Sequence, residues 1–139
     1  MKPELRFRVA LESSLAPSED PGKVVAAMEN VVGDCAHALD ERRWSVRIVT
    51  EDARSLVKVH DQLRDRRVRA AARRLLAAGK QGRKTTVMLN RQAAAVGIIA
   101  LCSSEDESPL GPIYLTIESR ALDEVISWLT AYEEKPVRA

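Results

Sequence analysis

A chain of 139 residues falls within the usual size of one domain and is too short for two independent cores. Its 22 Lys plus Arg against 20 Asp plus Glu leave a formal net charge of +2, so overall charge implies no polyanionic partner and its distribution has to be read instead. The start Met1, Lys2, Pro3, Glu4 does not read as a signal peptide, no run is apolar enough to span a membrane, and Cys35 and Cys102 stand far apart without CxxC or histidine spacing, so the expectation is a cytoplasmic protein with reduced cysteines, no metal, no cofactor and no disulfide framework.

Leu5, Phe7, Val9 and Leu11 alternate with Arg6, Arg8, Ala10 and Glu12, which predicts a strand with one face on the core. Ser18, Glu19, Asp20, Pro21 then supplies a helix start, with Asp20 as cap and Pro21 preset at the first helical position. Val24, Val25, Met28, Val31 and Val32 form that helix's buried stripe, and Gly33 its stop. Strands are expected around Cys35 to Leu39 and Ser45 to Thr50, joined by Asp40, Glu41, Arg42 and Arg43 as a hairpin. From Ala53 to Ala78 the period becomes helical, in one bent helix or two, on Leu56, Val59, Leu63, Val68, Ala71, Ala72, Leu75 and Leu76. After Gly79 to Gly82, three strands are predicted at Thr85 to Asn90, Val96 to Cys102 and Ile113 to Glu118. An acidic loop at Glu105 to Glu107 and a rigid Pro109 to Pro112 turn separate the last two. Leu122, Val125, Ile126 and Leu129 define a closing amphipathic helix. The order predicts a single α+β domain, a largely antiparallel sheet with helices packed on one face.

Between Arg64 and Arg91 the basic residues are Arg64, Arg66, Arg67, Arg69, Arg73, Arg74, Lys80, Arg83, Lys84 and Arg91, and Asp65 is the only acid. At about 100° per residue, Val68, Ala71, Ala72, Leu75 and Leu76 cover one side of a helix and Arg66, Arg67, Arg69, Arg73 and Arg74 the other. A face of arginines without glutamates four residues away is unfavourable unless counterions or a polyanion screen it. Arginine's planar fork also suits phosphate, donating two parallel hydrogen bonds to one group. Two other readings stand beside this one: a plain solvated face, and an oligomer contact with Glu105, Asp106, Glu107, Glu133 and Glu134 of another copy.

No strand carries the paired aromatics with which an RNA-recognition-motif sheet stacks bases, and Phe7 and Trp128 sit on apolar stripes, so binding is expected to rest on shape and phosphate. No catalytic residue is expected: His37 and His60 are isolated, Glu19 and Asp20 are explained by capping, and the Gly79 to Thr85 segment precedes a strand rather than opening a helix as a phosphate loop does. The chain is therefore read as a non-enzyme.

Several strings resemble an archaeal family of uncharacterised proteins, one of the "UPF" families, described as an RNA-binding domain related to predicted exosome subunits. Ser108, Pro109, Leu110, Gly111, Pro112, Ile113 reproduces its most distinctive string. Leu89, Asn90, Arg91, Gln92, Ala93, Ala94 resembles its asparagine, lysine, glutamine and double-alanine motif, with arginine for lysine. Ser18 to Val24 is similar to its helix start, Arg67 to Arg73 to its basic helix, and Ile126 to Leu129 to its terminal Trp-Leu helix. Ala70 stands where the family tends to carry aspartate, and Ala95 replaces an aromatic. The resemblance implies an antiparallel sheet with helices on one face, similar to the large-subunit ribosomal protein that carries 5S RNA, and a homodimer.

The expected function is non-enzymatic binding of RNA, structured RNA included, through phosphate contacts from Arg66, Arg67, Arg69, Arg73, Arg74, Lys80, Arg83 and Lys84. Asn90, Arg91 and Gln92 extend that surface if the turn brings them beside the arginine helix; otherwise Asn90 and Gln92 brace the backbone. The alternative function is a self-associating scaffold for other proteins.

Overall fold

The computed structural model describes residues 5–33, 38–42, 44–64 and 66–130, with the backbone alone at 38–42 and 66. Cys35, His37, Arg43, Asp65, Tyr132, Glu133 and Glu134 lie outside the described residues. The chain runs through strands β1 (Arg8–Ser14), β2 (Ala38–Arg42), β3 (Ser45–Thr50), β4 (Lys80–Gln81), β5 (Lys84–Leu89), β6 (Leu101–Cys102) and β7 (Ile113–Glu118). Its helices are α1 (Pro21–Val32), α2 (Val57–Gln62), α3 (Arg66–Ala78), α4 (Arg91–Ala95) and α5 (Leu122–Thr130), with single 3-10 turns at Ala53–Leu56 and Glu105–Glu107. The strands form one antiparallel sheet in the order β2-β3-β1-β7-β5-β4, with β6 paired to β5. This is the expected α+β domain.

Alternation decides the two faces. Val9 and Leu11 of β1, Ile113, Leu115 and Ile117 of β7, Val87 and Leu89 of β5, and Val46 and Ile48 of β3 are buried on one side. Against them pack Val24, Met28 and Val31 of α1, Leu56 and Val59, Ala72 and Leu76 of α3, and Val125, Ile126 and Leu129 of α5. The opposite face, with Arg8, Glu12, Arg47, Lys84 and Thr86 exposed, carries no described helix. Asp20 caps α1 as expected, accepting the Gly22 N–H at 2.9 Å, and Pro21 and Gly33 bracket the helix. The Ala53 to Ala78 stretch divides into a 3-10 turn and two helices. Where α3 turns into the β4–β5 hairpin, a Cβ on Gly79 would stand 2.2 Å from the Thr86 carbonyl oxygen, so only glycine lets the helix end approach the strand.

Three expectations are corrected. The segment Asp40 to Arg42, read as a connection, lies in β2. Only Leu101 and Cys102 of the Val96 to Cys102 run are strand, preceded by the short helix α4; Val96 and Ile98 point outward, 73% and 54% exposed. Their β-branched character suits a strand, but Gln62 takes the place of a ladder partner, donating to the Gly97 carbonyl at 2.8 Å and accepting the Ile99 N–H at 2.7 Å. Third, α3 is rotated relative to the predicted stripe: Ala72 and Leu76 are buried, Arg69 is half-buried on the same side, and Val68 is 42% exposed. Arg69, Ala72 and Leu76 stand at i, i+3 and i+7, one helical face, and a turn of one residue's width exchanges Arg69 with Val68.

His60 of α2 stacks on Trp128 of α5, ring centroids 4.5 Å apart, which gives this histidine a structural place. Cys102 is a buried free thiol, raised above its ordinary pKa by burial and by the charge of Glu107. No described helix is long and apolar enough to cross a membrane.

Candidate nucleic-acid interface

The exposed side of α3 carries Arg67, Arg73 and Arg74, with Ala70 between them and Ala77 one turn further on, and the helix contains no acidic residue. Its arginines are not equivalent. Arg73 Nε donates to Thr130 Oγ1 of α5 at 3.0 Å, and Arg69 Nη1 reaches the Arg64 carbonyl at 3.5 Å. Arg67 and Arg69 are engaged in further interactions, whereas Arg74 has no partner among the described residues. Arg66 opens the helix, and its side chain lies outside the description. Beyond the helix, Lys80 pairs with Asp123, while Arg83 and Lys84 are exposed and unpaired among the described residues.

The predicted Asn90, Arg91, Gln92 extension does not join this surface, because α4 packs against α1 rather than α3. Arg91 is interior, its side chain 7% exposed. Its Nη1 donates to Ser13 Oγ and the Ser14 carbonyl, both at 2.7 Å, and its Nη2 to Glu19 Oε2 at 2.8 Å and the Leu110 carbonyl at 3.0 Å. Four of the five guanidinium N–H donors are thus committed inside the protein, and burial keeps the group from a phosphate on the surface. Glu19, read as part of a helix cap, is instead the carboxylate of this buried pair, and its other oxygen accepts the Ala16 N–H at 2.8 Å. Asn90 caps α4 by accepting the Ala93 N–H at 2.9 Å and donates to the Glu107 carbonyl at 3.1 Å, and Ser108 accepts the Arg91 N–H at 3.0 Å. The three most distinctive strings of the sequence thus converge on one polar knot. Gln92 alone of the trio is exposed.

The tertiary structure adds cations that sequence position had hidden. In the register, Arg8 of β1 and Lys84 of β5 both stand opposite Glu118 of β7. Ser119 then donates its N–H to the Arg83 carbonyl at 2.9 Å and its hydroxyl to the Arg6 carbonyl at 2.6 Å, setting Arg120 beside both. Arg6, Arg8, Arg83, Lys84 and Arg120 therefore gather at one rim of the sheet, all exposed, with Glu118 between Arg8 and Lys84. None has a side-chain hydrogen bond or ion pair among the described residues. A cleft of about 330 Å³ opens here between Lys80, Gly82 and Arg83 on one side and Arg120 and Leu122 on the other, with the carboxylates of Asp123 and Glu124 also in its lining. The outward positions of Arg6 and Arg8 were readable from the alternation of the first strand. Their meeting with Arg83 and Arg120 requires the β1-β7-β5 order.

Around the corner, the face on which no described helix packs holds a groove of about 320 Å³ over Ala10, Thr86, Tyr114 and Thr116, flanked by Arg8, Arg47 and Lys84. The Tyr114 hydroxyl donates to the Glu105 carboxylate, and this bond, with some desolvation and the charge of Glu105, pushes the phenol up to about 12. The raised pKa belongs to the neutral phenol. Its contribution to stability is present below the ordinary value near 10 and lost as pH rises through about 12. In a Tyr132→Phe background, phenolate absorbance is expected near pH 12, and Glu105→Gln should return the transition towards 10; a transition near 10 in the parent would show the bond absent.

Among the described residues no three His, Cys, Asp or Glu side chains come together as metal ligands. No family model matches the chain. A UPF0201 protein of Sulfurisphaera tokodaii is 38% identical over 133 residues, 94% of this chain and 91% of the relative. One from Metallosphaera sedula is 38% identical over 123 residues, 88% and 86% of the two chains. In structure, a UPF0201 protein from Methanococcus jannaschii superposes with a TM-score of 0.75 at 23% identity, covering 94% of this chain and 97% of that one. An uncharacterized UPF0201 protein gives a TM-score of 0.74 at 24% identity, covering 94% and 99%. The structural likenesses bear on the fold.

Proposed function

This chain belongs to the archaeal UPF0201 family, and from that premise we propose that it is a non-enzymatic, cytoplasmic RNA-binding protein that grips phosphates with the sheet rim and the adjoining arginine face of α3. One observation carries the reading: Arg6, Arg8, Arg83, Lys84 and Arg120 are drawn from three distant parts of the chain to surround Glu118 without neutralising one another. Converging like charges raise the free energy of the folded protein; a polyanion relieves this, and the protein's cations in turn release the counterions condensed on its phosphates. On α3 the small Ala70 between Arg67 and Arg74, and Ala77 one turn beyond, leave room for a sugar-phosphate backbone to approach. The test is the affinity for RNA as a function of salt, before and after reversing charges at the rim.

A second observation favours self-association alongside RNA binding. Trp44 and Leu110 are 49% and 64% exposed at the end of the sheet opposite the rim, joined through the Leu15 N–H to the Trp44 carbonyl and the Ser14 hydroxyl to the Leu110 carbonyl. β1 separates this patch from Arg8 by roughly 20 Å at about 3.4 Å per residue, so a homodimer formed there leaves the cations free. Sedimentation equilibrium should show a dimer that Leu110→Ser weakens. A parent that stays monomeric throughout would remove this part of the reading.

A further inference from the structure

We propose that the face of the sheet on which no described helix packs is a platform for single-stranded RNA, one base stacking on Tyr114 while the flanking phosphates are held by Arg47 on one side and the Arg8 and Lys84 rim on the other. This deepens the function proposed above and rests on it. The register places Glu12 of β1 next to both Tyr114 of β7 and Arg47 of β3, and Met88 of β5 on the far side of Tyr114. Arg47 is thus two strands from Tyr114, roughly 10 Å at about 4.8 Å per strand, a distance that a long side chain spans. The groove between them is floored by Ala10, Thr86 and Thr116, short side chains that leave depth for a planar ring.

The lining suits a nucleotide. Tyr114 is half-exposed, and the bond from its hydroxyl to Glu105 holds the ring in place before a ligand arrives, so little rotamer freedom is lost on stacking. Met88 offers a polarizable thioether beside the ring. The Thr86 and Thr116 hydroxyls, 3.0 Å apart, present donors and acceptors, and the Glu12 and Glu118 carboxylates accept from base amino groups and ribose hydroxyls. Cations outnumber carboxylates on this face and its rim, with Arg6, Arg8, Arg47 and Lys84 against Glu12, Glu118 and the Glu105 that holds Tyr114, so charge favours a polyanion over a second copy of the chain. In a duplex the base faces are stacked within the helix and cannot reach Tyr114, whereas a single strand can splay a base onto it.

The test uses the full chain and fluorescence anisotropy with a labelled single-stranded RNA of mixed sequence, and with the same RNA annealed to its complement. Tyr114→Ala is expected to weaken single-strand binding by about tenfold, with duplex binding unchanged. Tyr114→Phe, which keeps the ring but loses the bond to Glu105, should lose less single-strand affinity than Tyr114→Ala. Thr116→Glu, at an outward-facing position, serves as a second variant and should also weaken the single strand selectively. The proposal is overturned if folded Tyr114→Ala and Thr116→Glu bind the single strand as tightly as the parent. It is also overturned if single strand and duplex weaken equally, which leaves the phosphate-binding function standing, or if Tyr114→Ala changes the mass of the protein in solution instead, which makes this face a contact between copies. A parent that binds neither RNA fails the underlying function itself.

Discussion

Arg91→Ala is expected to destabilise the protein by about 3–5 kcal/mol, because removing one partner of a buried ion pair strands the other without water. Glu19, 15% exposed, would be left with only the Ala16 N–H as donor. The Ser14 and Leu110 carbonyls and the Ser13 hydroxyl would each lose a charge-assisted donor. Leu110 adds to the effect. Its φ of 67° is a left-handed conformation that a leucine adopts only under constraint, and the Arg91 bond to its carbonyl is part of that constraint. The thermal midpoint should fall by about 10 °C or more. Arg91→Lys should recover little, since one ammonium cannot span acceptors arranged around a planar fork. A double-mutant cycle with Glu19→Gln isolates the pair, with a coupling of about 1 kcal/mol or more expected. If Arg91→Ala unfolds at the parent's temperature and instead loses RNA affinity, the knot is a ligand site and not a brace.

The second large effect is on RNA. Reversing Arg8, Arg83 and Arg120 together to glutamate removes three exposed cations and adds three anions at one rim, without breaking a side-chain bond among the described residues. Stability should change little, because exposed substitutions away from special features cost about 0.5 kcal/mol or less each. Affinity should collapse. For a parent neutralising about five phosphates of a single strand, the slope of log K against log salt is about −3.5, a loss of roughly 100-fold between 50 and 200 mM. The triple variant should bind at least about 100-fold more weakly at low salt, with the slope flattened by about 2. A folded triple variant with the parent's affinity and slope would remove the rim from the interface. Arg67→Glu with Arg74→Glu then weighs α3 separately. Arg69 and Arg73 are poor choices for this purpose, since one is half-buried and the other bonds Thr130.

Both experiments target residues whose roles were unequally legible beforehand. Arg91 sits in a basic run and shares its residue type with Arg83, yet one guanidinium is enclosed by four acceptors and the other stands in solvent. Nothing local distinguishes them. The same holds for Val68 and Arg69, where basic and apolar residues follow one another so closely that the rotation of α3 is settled by its packing on α5 and β5. At Val96 to Ile98 the β-branched residues invited a strand, but helix α4 ends at Ala95, the chain turns at Gly97, and Gln62 takes up the backbone groups on either side.

What the sequence determined by itself were the features written in short-range periodicity: alternation in β1 and β7, the Asp20-Pro21 start of α1, the apolar stripe of α5, and from these an antiparallel sheet with one buried face. A two- or 3.6-residue period is a property of neighbours, so it survives reading without coordinates. Only the tertiary structure decided which charges meet: Arg91 reaches Ser13 across 78 positions, and Arg6 meets Arg83 and Arg120 through a strand order that no local pattern specifies. Electrostatic energy depends on distance in space, and the distance between two residues far apart in sequence is a consequence of how the whole core closes.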